Sequence, residues 1–161
     1  MSDEDVIRVR RVQESDFLQV RDIALENHQE SCFKEVEFSD EKFRKIFELI
    51  IERPDLHAGL IVEEGGYIRG YLYATLGEYF IGEKSLFVSV QSIYVIAGIR
   101  ESLAGGKVTL GLVKAIKEWG ALRHADYLMF HVTSGVQIKS TDRFFRRIGL
   151  KILGGNYLLS L

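Results

Sequence analysis

One cysteine and one proline are all that 161 residues contain of either type. A lone Cys32 excludes an intramolecular disulfide, suits a reducing compartment and, with nothing around it that would activate the thiol, does not read as a nucleophile. Charge of one sign is also lacking. Lys and Arg total 21 against 23 Asp and Glu, a net charge of -2, so no global basic excess argues for nucleic acid. Long hydrophobic runs are missing too. The longest, Leu86 to Ile99, is broken by Ser89, Gln91, Ser92 and Gly98 and is shorter than the roughly 20 residues a membrane helix needs. Met1-Ser2-Asp3-Glu4-Asp5 is acidic and unlike a signal peptide, so the expectation is a cytoplasmic protein with no membrane partner. His28 and His57 have no second histidine or cysteine at ligand spacing, so no metal is expected.

What is present is ordinary globular composition, 47% hydrophobic and 27% charged, over a length that suits one domain spanning 1–161 and can bury a core without staples. Ile7 to Val12 alternates as a half-buried strand. Ser15 is a candidate cap for a helix from about Asp16 to Asn27. Ser39, followed by Asp40 and Glu41, opens a second helix carrying Phe43, Ile46, Phe47 and Ile50, which should stop before Pro54. Leu60 to Glu63 and Tyr67 to Leu76 flank Glu64-Gly65-Gly66 as a hairpin. Leu86 to Val95 is a strand, a loop with Arg100 and Gly105-Gly106-Lys107 follows, and an amphipathic helix ends near Trp119. Ala125 to Thr133 reads as another strand, Thr141 to Arg147 as a short helix closed by Gly149, and Leu150 to Leu153 with Tyr157 to Leu161 as a final hairpin. The order β-α-α-β-β-β-α-β-α-β-β predicts an α/β or α+β domain, a mixed sheet covered by helices.

A strand feeding a glycine-bearing loop that opens a helix presents N–H groups and a positive helix end to an anion such as a pyrophosphate. Two phosphate motifs are excluded. Glu101 stands where a Walker A loop needs its first glycine, and Val108 follows Gly106-Lys107 where it needs Ser or Thr. Lys107 breaks the dinucleotide spacing after Gly105.

The whole order of elements, with Tyr94-Val95 and the glycine loop, resembles the GCN5-related N-acetyltransferase superfamily. Local matches are Ile7-Arg8-Val9-Arg10 with Glu14-Ser15-Asp16, Val62 to Tyr71, Ile93-Tyr94-Val95 with Arg100 five residues on, Ala115 to Trp119, and Phe144 to Leu150. The resemblance implies a mostly antiparallel central sheet flanked by helices, and acetyl transfer from acetyl-CoA to a primary amine of a small molecule or peptide. It offers two registers for the loop Gln/Arg-x-x-Gly-x-Gly/Ala. From Arg100, Leu103 replaces the middle glycine and Gly105 ends the loop. From Ala104, Lys107 and Thr109 replace both glycines. The implied cofactor-binding set is Tyr94, Val95, Ile96, Arg100, Ala104, Gly105, Gly106, Lys107 and Val108, with strand backbone splayed at Tyr94 to Ile96 to pair with pantetheine amides.

The chemistry is less complete. Phe145 occupies the place where the family often has a proton-donating tyrosine, Ser89 and Gln91 the places of its basic acids, and Ile138 that of an asparagine, so the catalytic residues are unknown. Gln91 could position a water, and Glu78 could take a proton from the acceptor; both are candidate substrate-binding residues. His131 and Tyr157 are alternatives for which a structural role is the favoured reading. Glu26, His28, Glu30, Glu35 and Glu37 would give an acidic rim suited to a cationic amine. Lys139, Arg143, Arg146 and Arg147 form a basic face without the aromatic pattern of nucleic-acid binding. A non-catalytic module that binds CoA or a protein partner is the alternative, and a homodimer stays open.

Overall fold

The computed structural model describes residues 7–160. Its centre is a five-stranded sheet in the order β1-β2-β3-β4-β5, formed by Arg8–Arg11, His57–Glu64, Tyr67–Glu78, Leu86–Val95 and Tyr127–Phe130. The first four strands run antiparallel, and β5 joins β4 in parallel. A parallel neighbour needs a crossover, which α3 (Ala97–Arg100) and α4 (Leu103–Ala121) supply. The sheet is thus mixed and mostly antiparallel, as expected.

Two apolar layers hold the helices to the sheet. Val108, Leu112, Ile116 and Trp119 follow helical spacing along α4 and pack on Leu60, Val62, Leu72, Val88, Val90 and Val95. The opposite face carries Ile61, Ile68, Tyr71 and Tyr94, covered by Val20 of α1 (Phe17–Glu30) and Phe47 and Ile50 of α2 (Asp40–Glu52). Ser39 caps α2 as its sequence predicts, its hydroxyl accepting from the Lys42 amide at 3.2 Å. The β2–β3 hairpin turns through Gly65 and Gly66, both at positive φ, a turn that glycine accepts without strain.

The start of α1 differs from expectation. Ser15 caps nothing; Glu14–Asp16 form a 3-10 turn in which the Asp16 carboxylate accepts from the Gln13 amide at 2.8 Å and from both arms of Arg10. A buried carboxylate with a bidentate arginine partner outcompetes a hydroxyl cap at the surface. The last helix, α5 (Ile138–Arg147), begins three residues earlier than Thr141 and ends where Gly149 takes φ +91°. The expected final hairpin does not form among the described residues. Positions 150–160 hold no strand, and those from 151 onward are exposed, including Leu153 and Tyr157. Leu161 and residues 1–6 lie outside the described residues.

Candidate functional site

The site begins with one extra residue in β4. Tyr73 pairs with Ser92 and Ala74 with Val90, so Gln91 is passed over and forms a β-bulge. A bulge inverts the alternation beyond it. Val88 and Val90 point into the α4 layer, and after Gln91 it is Ile93 and Val95 that do so, while Tyr94 turns to the α1 side. Beyond the bulge β4 no longer pairs with its parallel neighbour. Pairing with β5 ends at Val90↔Phe130, with one last bond from the His131 amide to the Val90 carbonyl at 3.0 Å. Gln91 to Val95 continue without β5 beside them. The splay expected at Tyr94 to Ile96 is therefore present and starts earlier.

A cleft of about 740 Å³ opens along this gap. Gln91 to Val95 form its floor, Gly106 and Thr109 of α4 one wall, and His131 to Ser134 with Phe144 and Phe145 of α5 another. Phe145 lies against Phe130, ring centres 4.8 Å apart, and so offers no hydroxyl at the position where the family resemblance implies a tyrosine. Gln91 is exposed and tied by its amide to Thr75 Oγ1 at 3.4 Å.

The glycines sit in a helix rather than the expected loop, because Ser102 caps α4 and its hydroxyl accepts from the Gly105 amide at 3.3 Å. The Leu103–Lys107 segment is the first turn of that helix; the Gly105 and Gly106 amides donate to Ser102, which leaves those of Leu103 and Ala104 without an intrahelical acceptor. Gly105 and Gly106 have different tasks. A Cβ on Gly105 would collide with the backbone of Ile99 and Arg100, so this glycine lets α3 and α4 touch. A Cβ on Gly106 meets nothing within 4 Å and would project into free space beside the cleft.

Arg100 lines the cleft but is already engaged. Its Nε donates to the Val95 carbonyl at 3.0 Å, its guanidinium covers the Tyr94 ring, and Nη2 lies 2.7 Å from Glu30. The Tyr94 hydroxyl lies 2.9 Å from both Glu26 and Glu30. Burial, then these two carboxylates, push the Tyr94 phenol well above its ordinary range, so it stays protonated. Asn27 donates to the Tyr71 hydroxyl at 2.8 Å and to Ser92 at 3.3 Å, and burial raises the Tyr71 phenol too.

The remaining sequence candidates scatter. Ile96 donates its amide to Arg69 and its carbonyl starts α3. Ala104 is half-buried at the start of α4, Lys107 is exposed on its outer side, and Val108 is core beneath Gly70. Glu78 pairs with Leu86, the far end of β4 from Val95, which nine strand steps place about 30 Å away. It accepts from the Lys84 amide and does not line the cleft. The acidic rim is likewise not assembled, since Glu26 and Glu30 turn to Tyr94 and Arg100 and Glu35 and Glu37 lie outside the lining. Sequence reading missed an aromatic wall of Phe38, Phe43, Phe47 and Tyr73. The near-regular recurrence of Phe33, Phe38, Phe43 and Phe47 was its signal.

No protein-family model matches the chain, and no curated protein does. Solved structures match it over nearly full length. The aminoglycoside N-acetyltransferase AAC(6')-Iy, in complex with the bisubstrate analogue CoA-S-monomethyl-acetylneamine, superposes with TM-score 0.75 at 14% identity, covering 98% of this chain and 99% of that one. AAC(6')-Ih from Acinetobacter baumannii gives 0.69 at 13% identity, over 97% and 98%. A ribosomal-protein-alanine N-acetyltransferase from Brucella melitensis biovar Abortus gives 0.69 at 12%, over 97% and 99%. The fold is that of the GCN5-related N-acetyltransferases.

Proposed function

We propose that the protein transfers an acetyl group from acetyl-CoA to a primary amine of a small molecule or peptide. One observation carries the proposal: β4 runs on past its last pairing with β5, and the amino end of α4 borders the same gap. Strand backbone from Gln91 to Val95 can pair with the amides of a pantetheine arm, and the leading N–H groups of α4 suit a pyrophosphate. Gly106 leaves room for phosphate oxygens, and Lys107 adds a positive charge nearby. The crystallised neighbour that carries a CoA analogue on the same fold supports this reading.

Bound acetyl-CoA would supply an activated thioester. In the transfer, the amine nitrogen attacks the carbonyl carbon, a C–N bond forms, the C–S bond breaks, the ammonium loses a proton and the thiolate gains one. The chain contributes mostly position, which alone accounts for a large part of such rates. Gln91 can hold a water at the acceptor. Phe145 has no proton to give, and that favours a second reading, a CoA-binding module without turnover.

Calorimetric titration with acetyl-CoA and CoA tests the first step, and thiol release with an amine panel the second. Micromolar binding with turnover is the expected result. Absence of binding at millimolar ligand overturns the proposal, and binding without turnover selects the module.

A further inference from the structure

The cleft has two chemically different halves. Towards α4 and α5 its walls mix polar and apolar groups. Towards α1, α2 and β3 its lining is mainly apolar and aromatic, with Ala24, Phe38, Phe43, Phe47 and Tyr73, and its polar neighbours are His28 and the neutral Asn27, whose amide is taken up by Tyr71 and Ser92. The rings form a continuous chain, His28 to Phe38 at 5.7 Å, Phe38 to Phe43 at 5.9 Å and Phe43 to Phe47 at 6.3 Å. His28 is fixed by its Nε2 contact with the Val36 carbonyl.

Carboxylates are scarce along this surface. Among the described lining residues Glu101 alone carries one, and it accepts from Gln137 Nε2 at 2.6 Å. Glu26 and Glu30 are occupied by Tyr94 and Arg100. A multiply charged amine entering this half would shed water without finding counter-charges. An apolar body gains by leaving water there, and one ammonium can rest over an aromatic face.

We propose that the acceptor is an arylalkylamine with a single basic nitrogen, its ring seated against the aromatic chain at Phe38 and Phe43. This rests on the acetyl-transfer reading. It separates the protein from neighbours of the same fold that are aminoglycoside acetyltransferases.

The test compares 2-phenylethylamine with neamine, using the full chain. Thiol release from acetyl-CoA should give phenylethylamine a kcat/KM at least tenfold above that of neamine. Saturation-transfer NMR should show phenyl protons contacting the protein, with or without CoA. Phe38→Ala should raise KM for phenylethylamine fivefold or more with kcat within twofold, and Phe38→Leu, which preserves packing, should raise it less. Equal or better use of neamine overturns the inference, as does an absence of saturation transfer to the ring. Binding without acetylation, on a chain that binds acetyl-CoA, overturns the assignment of acceptor. Failure of the acetyl-transfer reading has its own sign, because calorimetry then shows no acetyl-CoA binding whatever the amine does.

Discussion

The guanidinium of Arg100 lies over the Tyr94 ring, 4.8 Å from its centre. With Glu30 at 2.7 Å and the Val95 carbonyl at 3.0 Å, it locks the end of β4 to α1 and to the turn that leads into α4. A residue that the family resemblance assigns to the pyrophosphate is here spent on the frame around it. Arg100→Gln should therefore cost stability before affinity. A charged hydrogen-bond partner in a half-buried site is worth about 1.5–3 kcal/mol, and a chain of this size loses about 2–4 °C per kcal/mol. The melting temperature should fall by several degrees while the Kd for CoA changes less than threefold. A Kd change above tenfold in a folded variant would put the guanidinium on the phosphates instead.

Neighbouring glycines should answer differently to the same methyl group. Gly105→Ala drives a Cβ into the backbone of Ile99 and Arg100, which cannot swing aside as a side chain can. Overpacking of this kind costs about 1–3 kcal/mol. Gly106→Ala meets open space and replaces glycine inside a helix, a gain of about 0.5–1 kcal/mol. Denaturant unfolding should show opposite signs for the two. Calorimetry on Gly106→Ala should show weaker CoA binding in the more stable protein. Undiminished affinity would remove Gly106 from the phosphate path.

Acid should act through Asp16. The hydrogen bond from Arg10 holds its carboxyl below the usual carboxylate range, against the opposing effect of burial and with help from the Gln13 amide. A carboxylate depressed in the folded state adds stability above its unfolded pKa, near 4, and loses it as pH falls through the lower folded value. Melting temperature should drop as pH falls below about 4, and Asp16→Asn should flatten that part of the profile. At pH 7 the same substitution should cost about 1.5–3 kcal/mol, since Arg10 keeps Glu63 alone as an ion-pair partner among the described residues. An unaltered acid limb in the variant would show that other carboxylates control it.

Several local sequence signals read true. Ser39 and the Phe43, Phe47, Ile50 spacing marked α2, Gly65-Gly66 marked a hairpin, and Leu86 to Val95 is a strand over the same ten residues. What failed to show was set by partners distant in the chain. The bulge at Gln91 depends on register with Tyr73 and Ala74, and left only a parity change between Val90 and Val95 as a trace. The packing role of Gly105 was hidden because nothing in its neighbourhood reveals that Ile99 folds back on it. Glu78 is a candidate base only until β4 is laid out beside it, where it pairs with Leu86 while the cleft begins at Gln91. The segment from Leu150 to Ser160 has the apolar pattern and central glycines of a hairpin but no sheet neighbour among the described residues.

Lys107 offers the cleanest electrostatic test. It is exposed at the first turn of α4, makes no ion pair among the described residues, and can be reversed without disturbing the core. Lys107→Glu should leave the melting temperature within about 2 °C, as surface substitutions do. It should weaken CoA binding severalfold at low salt and less at high salt, because an exposed charge acts through screened solvent. The salt dependence carries the meaning. A loss that persists at high ionic strength would indicate direct contact with a phosphate, and an affinity unchanged at any salt would exclude Lys107 from the site.

Phe145→Tyr would place a hydroxyl on the wall formed with Phe130, where the family resemblance implies a proton donor. Positioned general acids give about 10²–10⁴ in rate when evolved in place. An unrefined one should give about tenfold in kcat with KM little changed, since the hydroxyl acts on the departing thiolate rather than on the bound amine. The kcat profile should gain a descending limb at alkaline pH as the new phenol ionises. If the variant folds and binds acetyl-CoA yet kcat and its pH dependence match the parent chain, thiolate protonation does not pass through this position. The half of the cleft holding His131 and Ser134 is then where the proton is to be sought.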